Sequence, residues 1–309
     1  MTAAQSVPNL SRILVATDLS PRAQKSIARA IQLAAEQGAA LTILHVLTDA
    51  AGNKARQRQV ALQVEKDLRR DIATLSSAQD GRATIRVVTG TPFVEIIRRA
   101  REEAADLILV GAHGAQFIKD LLVGTTMEKI VRKGDRPVLV VKRPVRAPYR
   151  RVLVSTDFSE PSRQALELGL RLAPEARIYL LHAYQGIEGQ LWRSDMTKSE
   201  ILRYRHRVAQ QSRQQMKDFI RRMNLDGRLI VRLLRYGRAP HVITAAAQRL
   251  RPELVCVGSV GRTGLPQILL GSVAEHVLRE VSCDVLVARS SSFLSNCPSL
   301  VLHPTRFPR

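Results

Sequence analysis

The sequence predicts an α/β protein made of two tandem copies of one doubly wound domain, and three observations support this. Short, continuous, β-branched apolar runs recur along the chain, as in strands that a parallel sheet buries on both faces. Stretches with helical periodicity separate these runs, which favours right-handed strand–helix–strand crossovers. Four of the runs return in the same order in the second half, so the chain contains an internal repeat.

The repeat shows which strands correspond. Residues 12–20 (RILVATDLS) return as 151–159 (RVLVSTDFS), and 41–46 (LTILHV) return as 178–183 (IYLLHA). Further along, 106–111 (DLILVG) matches 253–258 (ELVCVG), and 137–142 (PVLVVK) matches 284–289 (DVLVAR). Each copy is therefore predicted to form a parallel sheet of five strands flanked by helices.

Amphipathic patterns predict four helices in each copy. They cover 22–37, 54–78, 92–104 and 125–133 in the first copy, and 160–173, 196–223, 239–250 and 272–281 in the second. The predicted domains are 11–143 and 150–290. The segment RPVRAP between them has two prolines and favours an extended linker, and 291–309, which has no counterpart, is predicted to be a loosely held tail.

The composition is typical of a soluble folded protein. The chain of 309 residues is 45% apolar and 24% charged, which suits two cores of ordinary size. No apolar run reaches the ~18 residues of a spanning helix and no secretory signal begins the sequence, so we expect a cytoplasmic protein without a membrane partner. The three cysteines, at 256, 283 and 297, lack the spacing of a zinc site or a disulfide framework.

The net charge of +21 raises the question of a nucleic-acid partner. The densest basic stretch, 193–235, holds 12 basic and 4 acidic residues and is a candidate footprint for DNA or RNA. However, aromatic residues make up only 4% of the chain, and no RNA-binding motif, zinc finger or basic zipper region occurs. A solvated arginine-rich face that attracts anionic ligands is favoured instead.

Candidate binding residues follow the strands at the edge where open α/β sheets bind ligands. Asp18 and Asp157 come directly after the first strand of each copy, shortly before a serine that can start a helix. Each carboxylate could accept a hydrogen bond from a base or ribose, or could bond local backbone amides, and position alone leaves both open. His45 and His182 stand at matched strand ends, where a packed or backbone-bonded histidine is favoured.

A loop of the form G-x-x-G-(x)9-G-[ST] follows the fourth strand of both copies. Its residues are Gly111, Gly114, Gly124 and Thr125 in the first copy, and Gly258, Gly261, Gly271 and Ser272 in the second. Glycine lets backbone approach a ligand closely, and a helix that starts after the last glycine offers free amides to phosphate. The hydroxyls also begin S/T-x-x-E capping boxes, which need no ligand. The duplicated upstream glycines favour the ligand loop.

These ordered features resemble the universal stress protein family, over about residues 11–143 and 150–290. The resemblance implies a five-stranded parallel sheet of order 3-2-1-4-5 in each domain. It also implies a tandem member whose two domains pair as single-domain relatives do when they dimerise. By the same resemblance, we expect a stress-response protein that binds ATP or another adenine nucleotide, with Mg²⁺ as an optional companion. A homodimer of the tandem chain and an unknown protein partner stay open.

The family's nucleotide contacts transfer onto both copies. In the family the early aspartate lies on the adenine side, a neighbouring strand end contacts the base through backbone, and the loop holds ribose and phosphates. The implied residues are Asp18, Val46, Gly111, Gly114, Gly124 and Thr125 in the first site, and Asp157, Ala183, Gly258, Gly261, Arg262, Gly271 and Ser272 in the second. Ser259 and Arg262 bring the second site closer to the binding pattern, although Val260 departs from it, whereas Ala112 weakens the first.

The sequence carries no strong catalytic signature. It lacks a GxxxxGK[ST] loop, a dinucleotide fingerprint, a GxSxG elbow and an HExxH motif. Without a paired base and nucleophile in either copy, we expect weak ATP hydrolysis at most. A nucleotide-binding regulator is the favoured function. The alternatives are a nucleotide-independent interaction module of the same fold and, less favoured, a basic nucleic-acid-associated protein.

Overall fold

The structure, a computed structural model, describes residues 10–21, 23–48, 54–75, 83–112, 126–185, 197–225, 229–260 and 270–289. These residues form ten strands and eight helices. The first half contains β1 (Arg12–Thr17), α1 (Ala23–Gln37), β2 (Ala40–Leu47), α2 (Lys54–Leu75), β3 (Ala83–Thr89), α3 (Pro92–Glu102), β4 (Leu107–Gly111), α4 (Thr126–Lys133) and β5 (Val138–Val141). The second contains β6 (Arg151–Ser155), α5 (Glu160–Leu172), β7 (Arg177–Tyr184), α6 (Lys198–Arg222), β8 (Ile230–Tyr236), α7 (Ala239–Leu250), β9 (Leu254–Gly258), α8 (Ser272–Glu280) and β10 (Asp284–Ala288).

Each half forms a parallel sheet with the strand order that the resemblance implied. The order is β3-β2-β1-β4-β5 in the first half and β8-β7-β6-β9-β10 in the second. Counted from the start of each half, both are 3-2-1-4-5, and the prediction of two tandem doubly wound domains is confirmed. The order reverses beside β1 and beside β6, so the crevice for a ligand lies at the carboxyl ends of those strands.

The two sheets join into one. Strands β5 and β10 pair antiparallel, with Leu139 opposite Leu286 and Val140 opposite Val285. A single ten-stranded sheet results, whereas the resemblance implied only that the two domains pair. Because β5 and β10 shield each other, the open edges of this sheet are β3 and β8.

The core lies in two layers, one on each face of the joined sheet. Helices α1, α2, α5 and α6 cover one face with residues that include Ile27, Leu33, Leu68, Leu166 and Phe219. Helices α3, α4, α7 and α8 cover the other with Ile96, Ile130, Ile243 and Val277. Each layer contains residues of both halves, so burial of apolar area holds the halves together as well as each fold. Among the described helices, none is long and apolar enough to span a membrane.

The last strand of each half holds the last helix of the other half. The Lys142 ammonium, directly after β5, donates to the carbonyls of Leu278 (2.6 Å) and Val281 at the end of α8. In the matched position after β10, the Arg289 guanidinium donates to the carbonyl of Arg132 (2.8 Å) at the end of α4. Carbonyls at a helix end lack partners within the helix, so each contact satisfies such groups across the domain boundary.

A buried polar cluster around Asp284 completes the boundary. Asp284 is 1% exposed, and its Oδ1 accepts from the backbone amides of Lys142 (2.8 Å) and Arg143 (3.1 Å). Its Oδ2 accepts from the Tyr149 hydroxyl (2.7 Å) and lies 3.6 Å from Nε of Arg29, whose guanidinium stacks on the Tyr149 ring. Burial and the Asp284 charge raise the pKa of Tyr149 well above its usual value, so the hydroxyl stays protonated and donates.

The helix ends differ slightly from the predicted ones, for local reasons. Helix α6 begins at Lys198 rather than 196, because Thr197 is its N-cap in a capping box with Glu200. Helix α3 ends at Glu102 rather than 104, because Ala104 has a φ of 48° that a right-handed helix cannot continue. The predicted end of α2 at 78 lies outside the described residues, and the other described ends agree with the amphipathic patterns within a residue or two.

Candidate functional site

Each half has a cavity at the carboxyl ends of its strands. Cavity 1, of about 380 Å³, is bounded by the ends of β1, β2 and β4 and the starts of α3 and α4. Cavity 2, of about 420 Å³, is bounded by the ends of β6, β7 and β9 and the starts of α7 and α8. Both volumes fall in the range of small-molecule sites in proteins.

The cavities bring together every predicted site residue that the structure describes. Cavity 1 is lined by Asp18, Val46 and Gly111, and cavity 2 by Asp157, Ala183, Gly258, Gly271 and Ser272. The other predicted site residues lie outside the described residues; these are Gly114, Gly124, Thr125, Gly261 and Arg262. Because the groups come from elements far apart in the chain, the fold rather than local sequence assembles them.

Each aspartate sits in a double turn that both halves repeat. In the second half, the Phe158 amide donates to Oγ1 of Thr156 (2.9 Å), and the Ser159 amide donates to Oδ1 of Asp157 (3.1 Å). Phe158 has a φ of 66°, which is strained for a bulky side chain. The Asp157 carboxylate thus bonds a local backbone amide, which is one of the two roles that the sequence left open. This bond helps to hold the strained backbone of Phe158 at the cavity.

The same turn recurs in the first half with the same bonds. The Leu19 amide donates to Oγ1 of Thr17 (3.1 Å), the Ser20 amide donates to Oδ1 of Asp18 (3.0 Å), and Leu19 has a φ of 63°. The sequence signal that identifies the turn is the T-D-x-S pattern, in which the threonine was not singled out. Both threonines line their cavities, so they belong to the site as well as to the turn.

The matched histidines bond backbone, as the sequence favoured. Nδ1 of His45 lies 2.9 Å from the Thr17 carbonyl oxygen, and Nδ1 of His182 lies 2.8 Å from that of Thr156. A carbonyl can only accept, so Nδ1 carries the proton in each ring. His182 is buried against Phe158, with ring centroids 4.3 Å apart, whereas His45 lines cavity 1. The two histidines therefore tie adjacent strand ends together beneath the aspartate turns.

Gly258 packs closely against the start of α5. A Cβ at this position would lie 3.0 Å from the carbonyl carbon of Pro161 and from the amide nitrogen of Ser162, at the start of α5. Contacts this short are tighter than nearly all contacts of real Cβ atoms, so the start of α5 would have to shift by a few tenths of an ångström to accept a side chain here. The sequence predicted that this glycine serves approach to a ligand, and the structure adds this second reason for it.

The start of α8 differs from the predicted capping box. The N-cap of α8 is Gly271, with extended backbone (φ −66°, ψ 148°), and Ser272 is the first helical residue. Ser272 therefore cannot cap the helix, and the capping box that it would form with Glu275 is wrong for this copy. The Gly271 amide donates instead to the Ser259 carbonyl (2.7 Å), which ties the start of α8 to the residue after β9. The matching Thr125 lies outside the described residues.

Cavity 2 has one polar and one apolar wall. Hydroxyls of Ser155, Thr156, Ser162 and Ser259 line it, none of them predicted except Ser259, and Leu181, Ile243, Val257 and Leu270 form the apolar side. Asp157 is the single ionisable side chain among its described lining residues. With no cation in that lining, the amides and dipole at the start of α8 are the electropositive feature that faces a ligand. This arrangement suits a flat, partly apolar ligand with an anionic end.

No ready-made metal site accompanies these groups. Within the described part of the chain, no three histidine, cysteine, aspartate or glutamate side chains cluster closely enough to hold a metal ion. Asp157 could supply one carboxylate ligand, and Mg²⁺ commonly takes one or two carboxylates together with the phosphates of a substrate. A metal at this position would therefore depend on the ligand that brings it.

Comparison with known proteins gives a match to one family along both halves. The sequence model of the universal stress protein family matches residues 9–142 and again residues 148–289. These two matches cover most of the chain and coincide with the two halves of the ten-stranded sheet.

Individual relatives are similar over shorter stretches. The chain is 42% identical over 57 residues to universal stress protein MJ0577 of Methanocaldococcus jannaschii, which is 18% of this chain and 35% of that protein. It is 28% identical over 196 residues to the universal stress protein E homolog of Haemophilus influenzae, which is 60% of this chain and 62% of that protein. The chain thus spans less than two thirds of the length of these relatives.

Solved structures share the fold across nearly the whole chain. The crystal structure of a universal stress protein from Archaeoglobus fulgidus superposes with a TM-score of 0.66 and 21% identity, covering 91% of this chain and 97% of that one. At this identity the similarity concerns the fold, which is two such domains side by side.

Proposed function

The chain belongs to the universal stress protein family, and from that membership we propose that it binds ATP in cavity 2, with cavity 1 as a second adenine-nucleotide site. The proposed role is regulatory. Nucleotide would bind one conformation of the chain more tightly than another and so shift the chain toward that conformation. A protein partner would then recognise that conformation. A stress-response role follows from the family, and the nucleotide follows from the family together with the geometry of cavity 2.

The observation that carries this proposal is the start of α8. Because Gly271 is the N-cap and has no side chain, the helix makes no side-chain cap bond there. First-turn amides have no acceptor within a helix, and the positive end of the helix dipole favours an anion at the same place. Ser272, in the lining of cavity 2, adds a hydroxyl donor. These groups suit the phosphates of a nucleotide.

The opposite side of cavity 2 suits a purine. Ala183 at the end of β7 is small, and Leu181 and Ile243 provide an apolar surface for a flat ring. Asp157, on the turn after β6, lies in the same lining and could accept from an amino or ribose hydroxyl group. Gly261 and Arg262, which lie outside the described residues, are proposed to contact ribose and phosphates.

We propose binding without efficient turnover. The described lining of cavity 2 contains no histidine, cysteine or lysine, and Asp157 already accepts from Ser159. General-base and nucleophilic catalysis both need a group placed to take a proton from the attacking atom. In cavity 1 the described histidine, His45, uses its Nδ1 to bond the Thr17 carbonyl. Bound ATP would therefore persist, as a regulatory ligand requires.

A charge placed at the start of α8 tests the proposal. Ser272→Asp keeps the helix start favourable, because a carboxylate stabilises a helix N-terminus, but it repels phosphate. We expect at least a tenfold loss of ATP affinity by titration calorimetry. Ser199→Asp, an equal change near the start of α6 and remote from both cavities, is the matched control and should bind ATP as the unmodified chain does.

Extraction of the purified chain supplies the second measurement. Native mass spectrometry should detect adenine nucleotide on the full chain, with the ratio of nucleotide to chain reduced in the Ser272→Asp variant. If the folded chain carries no adenine nucleotide and binds none at millimolar concentration, the proposal fails and a nucleotide-independent interaction module takes its place.

A further inference from the structure

We propose that a basic surface on the outer end of the second half binds single-stranded nucleic acid through its phosphates. We call it the α6–β8 surface and define it by exposed basic residues on the α6 side of the sheet: Arg203, Arg205, Arg207, Arg213, Lys217, Arg221, Arg222 and Arg232. It includes most of the described basic residues of the stretch 193–235, which the two nucleotide sites do not use. It lies at the open edge of the sheet, remote from the β5–β10 junction.

Acidic side chains do little to offset this charge. Helix α6 contains two, Glu200 and Asp218. Glu200 is engaged in the capping box with Thr197, and Asp218 pairs with Arg221 at 2.6 Å. Three other exposed cations of the helix, Arg207, Arg213 and Lys217, have no acidic side chain of a described residue within ion-pair distance. Their charge is therefore directed to solvent.

The matching surface of the first half shows that the fold does not require this excess. Helix α2, at the equivalent position, contains acidic residues among its basic ones, and Glu65 pairs with Arg69 at 2.6 Å. A second pair joins Arg70 to Asp67 on the same helix. The two surfaces thus have one architecture and different charge balance, and the difference belongs to the sequence of α6 and β8.

The excess positive charge destabilises the free helix. Residues four apart on a helix are neighbours, and like charges there repel. Three such pairs lie along α6: Arg203 with Arg207, Arg213 with Lys217, and Lys217 with Arg221. A bound polyanion would remove this repulsion. Protection of a sheet edge against aggregation explains arginines on β8, but not those on the outside of α6.

Aromatic residues collect on the same surface. Tyr236 on β8 is 41% exposed, its ring lies 5.7 Å from that of Tyr184, and the guanidinium of Arg205 lies 5.3 Å above it. With Tyr204 on α6, three of the five tyrosines of the chain lie on α6 or at the last residue of β7 or β8. The low overall aromatic content argued against a nucleic-acid partner. These few rings nevertheless lie beside the basic residues, where they could stack on bases.

Single-stranded nucleic acid matches both features. Helix α6 has 25 residues and so extends about 37 Å, long enough to follow several phosphates. An exposed tyrosine beside an arginine can stack on an unpaired base of any sequence, whereas a base in a duplex is already stacked. Anionic lipid or an acidic polypeptide would contact the basic side chains but would have no base to stack on the Tyr236 ring.

Fluorescence anisotropy of the full chain with a labelled 20-nucleotide oligo-dT tests the proposal. Neutralising about four phosphates predicts about 50-fold weaker binding at 200 mM than at 50 mM salt. The triple variant Arg207→Glu, Arg213→Glu, Lys217→Glu should lower the affinity at least tenfold. The matched control is Arg56→Glu, Arg58→Glu, Lys66→Glu on α2, which changes net charge equally and should stay within threefold. Circular dichroism verifies that both variants fold.

Other outcomes overturn the proposal in distinct ways. Equal losses in the two triple variants would mean that net charge alone attracts the oligonucleotide. Competition by polyglutamate, by vesicles with anionic lipid or by duplex DNA as effective as that by the unlabelled single strand would show that the ring has no part. Tyr236→Ala should weaken binding severalfold. The Ser272→Asp variant should bind the oligonucleotide normally, so this proposal and the nucleotide proposal fail independently.

Discussion

At the scale of single residues, two buried cations at matched positions, Lys142 and Arg289, connect the two halves of the chain. Each donates to carbonyls at the end of a helix in the other half. Burial lowers the pKa of Lys142 to about 8 and that of Arg289 to about 10, against the opposing effect of nearby acidic groups. A neutral lysine amine still has two hydrogens, which is the number that the carbonyls of Leu278 and Val281 require. The Lys142 contact can therefore persist when the side chain loses its charge.

The lowered pKa of Lys142 predicts a rise of stability with pH. In the unfolded chain the group has a pKa near 10.5, so between about pH 8 and that value the unfolded state binds more protons than the folded state. Stability must increase with pH across this window. Relative to Lys142→Met, the unmodified chain should gain about 1–3 kcal/mol in free energy of unfolding between pH 7 and pH 10.

Urea unfolding of both proteins at the two pH values measures this gain. Other groups titrate equally in the two chains, so their effects cancel in the difference. If the difference in stability between the two chains is the same at both pH values, Lys142 titrates normally and its burial has no such effect.

At the scale of elements, the strands and helices could be predicted from local patterns but the start of α8 could not. Buried strands and amphipathic helices leave periodic signals that need no tertiary information. The S/T-x-x-E pattern at Ser272 fits either a capping residue or the first residue of the helix, and the backbone dihedrals of Gly271 decide between them. Gly271 is held there by the hydrogen bond from its amide to the Ser259 carbonyl, a tertiary contact that local sequence does not show.

The packing of Gly258 against α5 predicts a stability defect in Gly258→Ala. The added Cβ would lie 3.0 Å from backbone atoms of Pro161 and Ser162, so the start of α5 must shift. Overpacking of this kind costs about 1–3 kcal/mol, which should lower Tm by several degrees in calorimetry. An unchanged Tm would mean that α5 moves away at no cost. Because of this defect, Gly258 is unsuited to tests of ligand binding.

At the scale of the whole molecule, the sequence predicted that the domains pair but not how. Arg29, Tyr149 and Asp284 lie far apart in the chain and in no shared motif, so their cluster could not be foreseen from spacing. A signal existed nevertheless, because Asp284 begins a buried strand where the first copy has Pro137. A charged residue that interrupts an otherwise apolar repeat indicates a contact that the other copy does not make.

Removal of the Asp284 carboxylate should therefore weaken the union of the halves. Asp284→Ala removes the carboxylate that contacts buried Arg29, the Tyr149 hydroxyl and the amides of Lys142 and Arg143. Loss of one partner of a buried ion pair lowers the free energy of unfolding by about 3–5 kcal/mol. Hydrogen exchange of β5 and β10 should accelerate. Asp218→Ala, which removes an exposed pair with Arg221, should cost less than about 1 kcal/mol. Equal effects would contradict a special role for Asp284.

The antiparallel meeting of β5 and β10 also sets where the two cavities open. Parallel strands within a half share one direction, and that direction inverts at the junction, so the carboxyl ends of the strands of the two halves point in opposite directions. The mouths of the two cavities therefore face away from each other. Ligands bound in both cavities would not touch, and each would be reached from its own end of the strands.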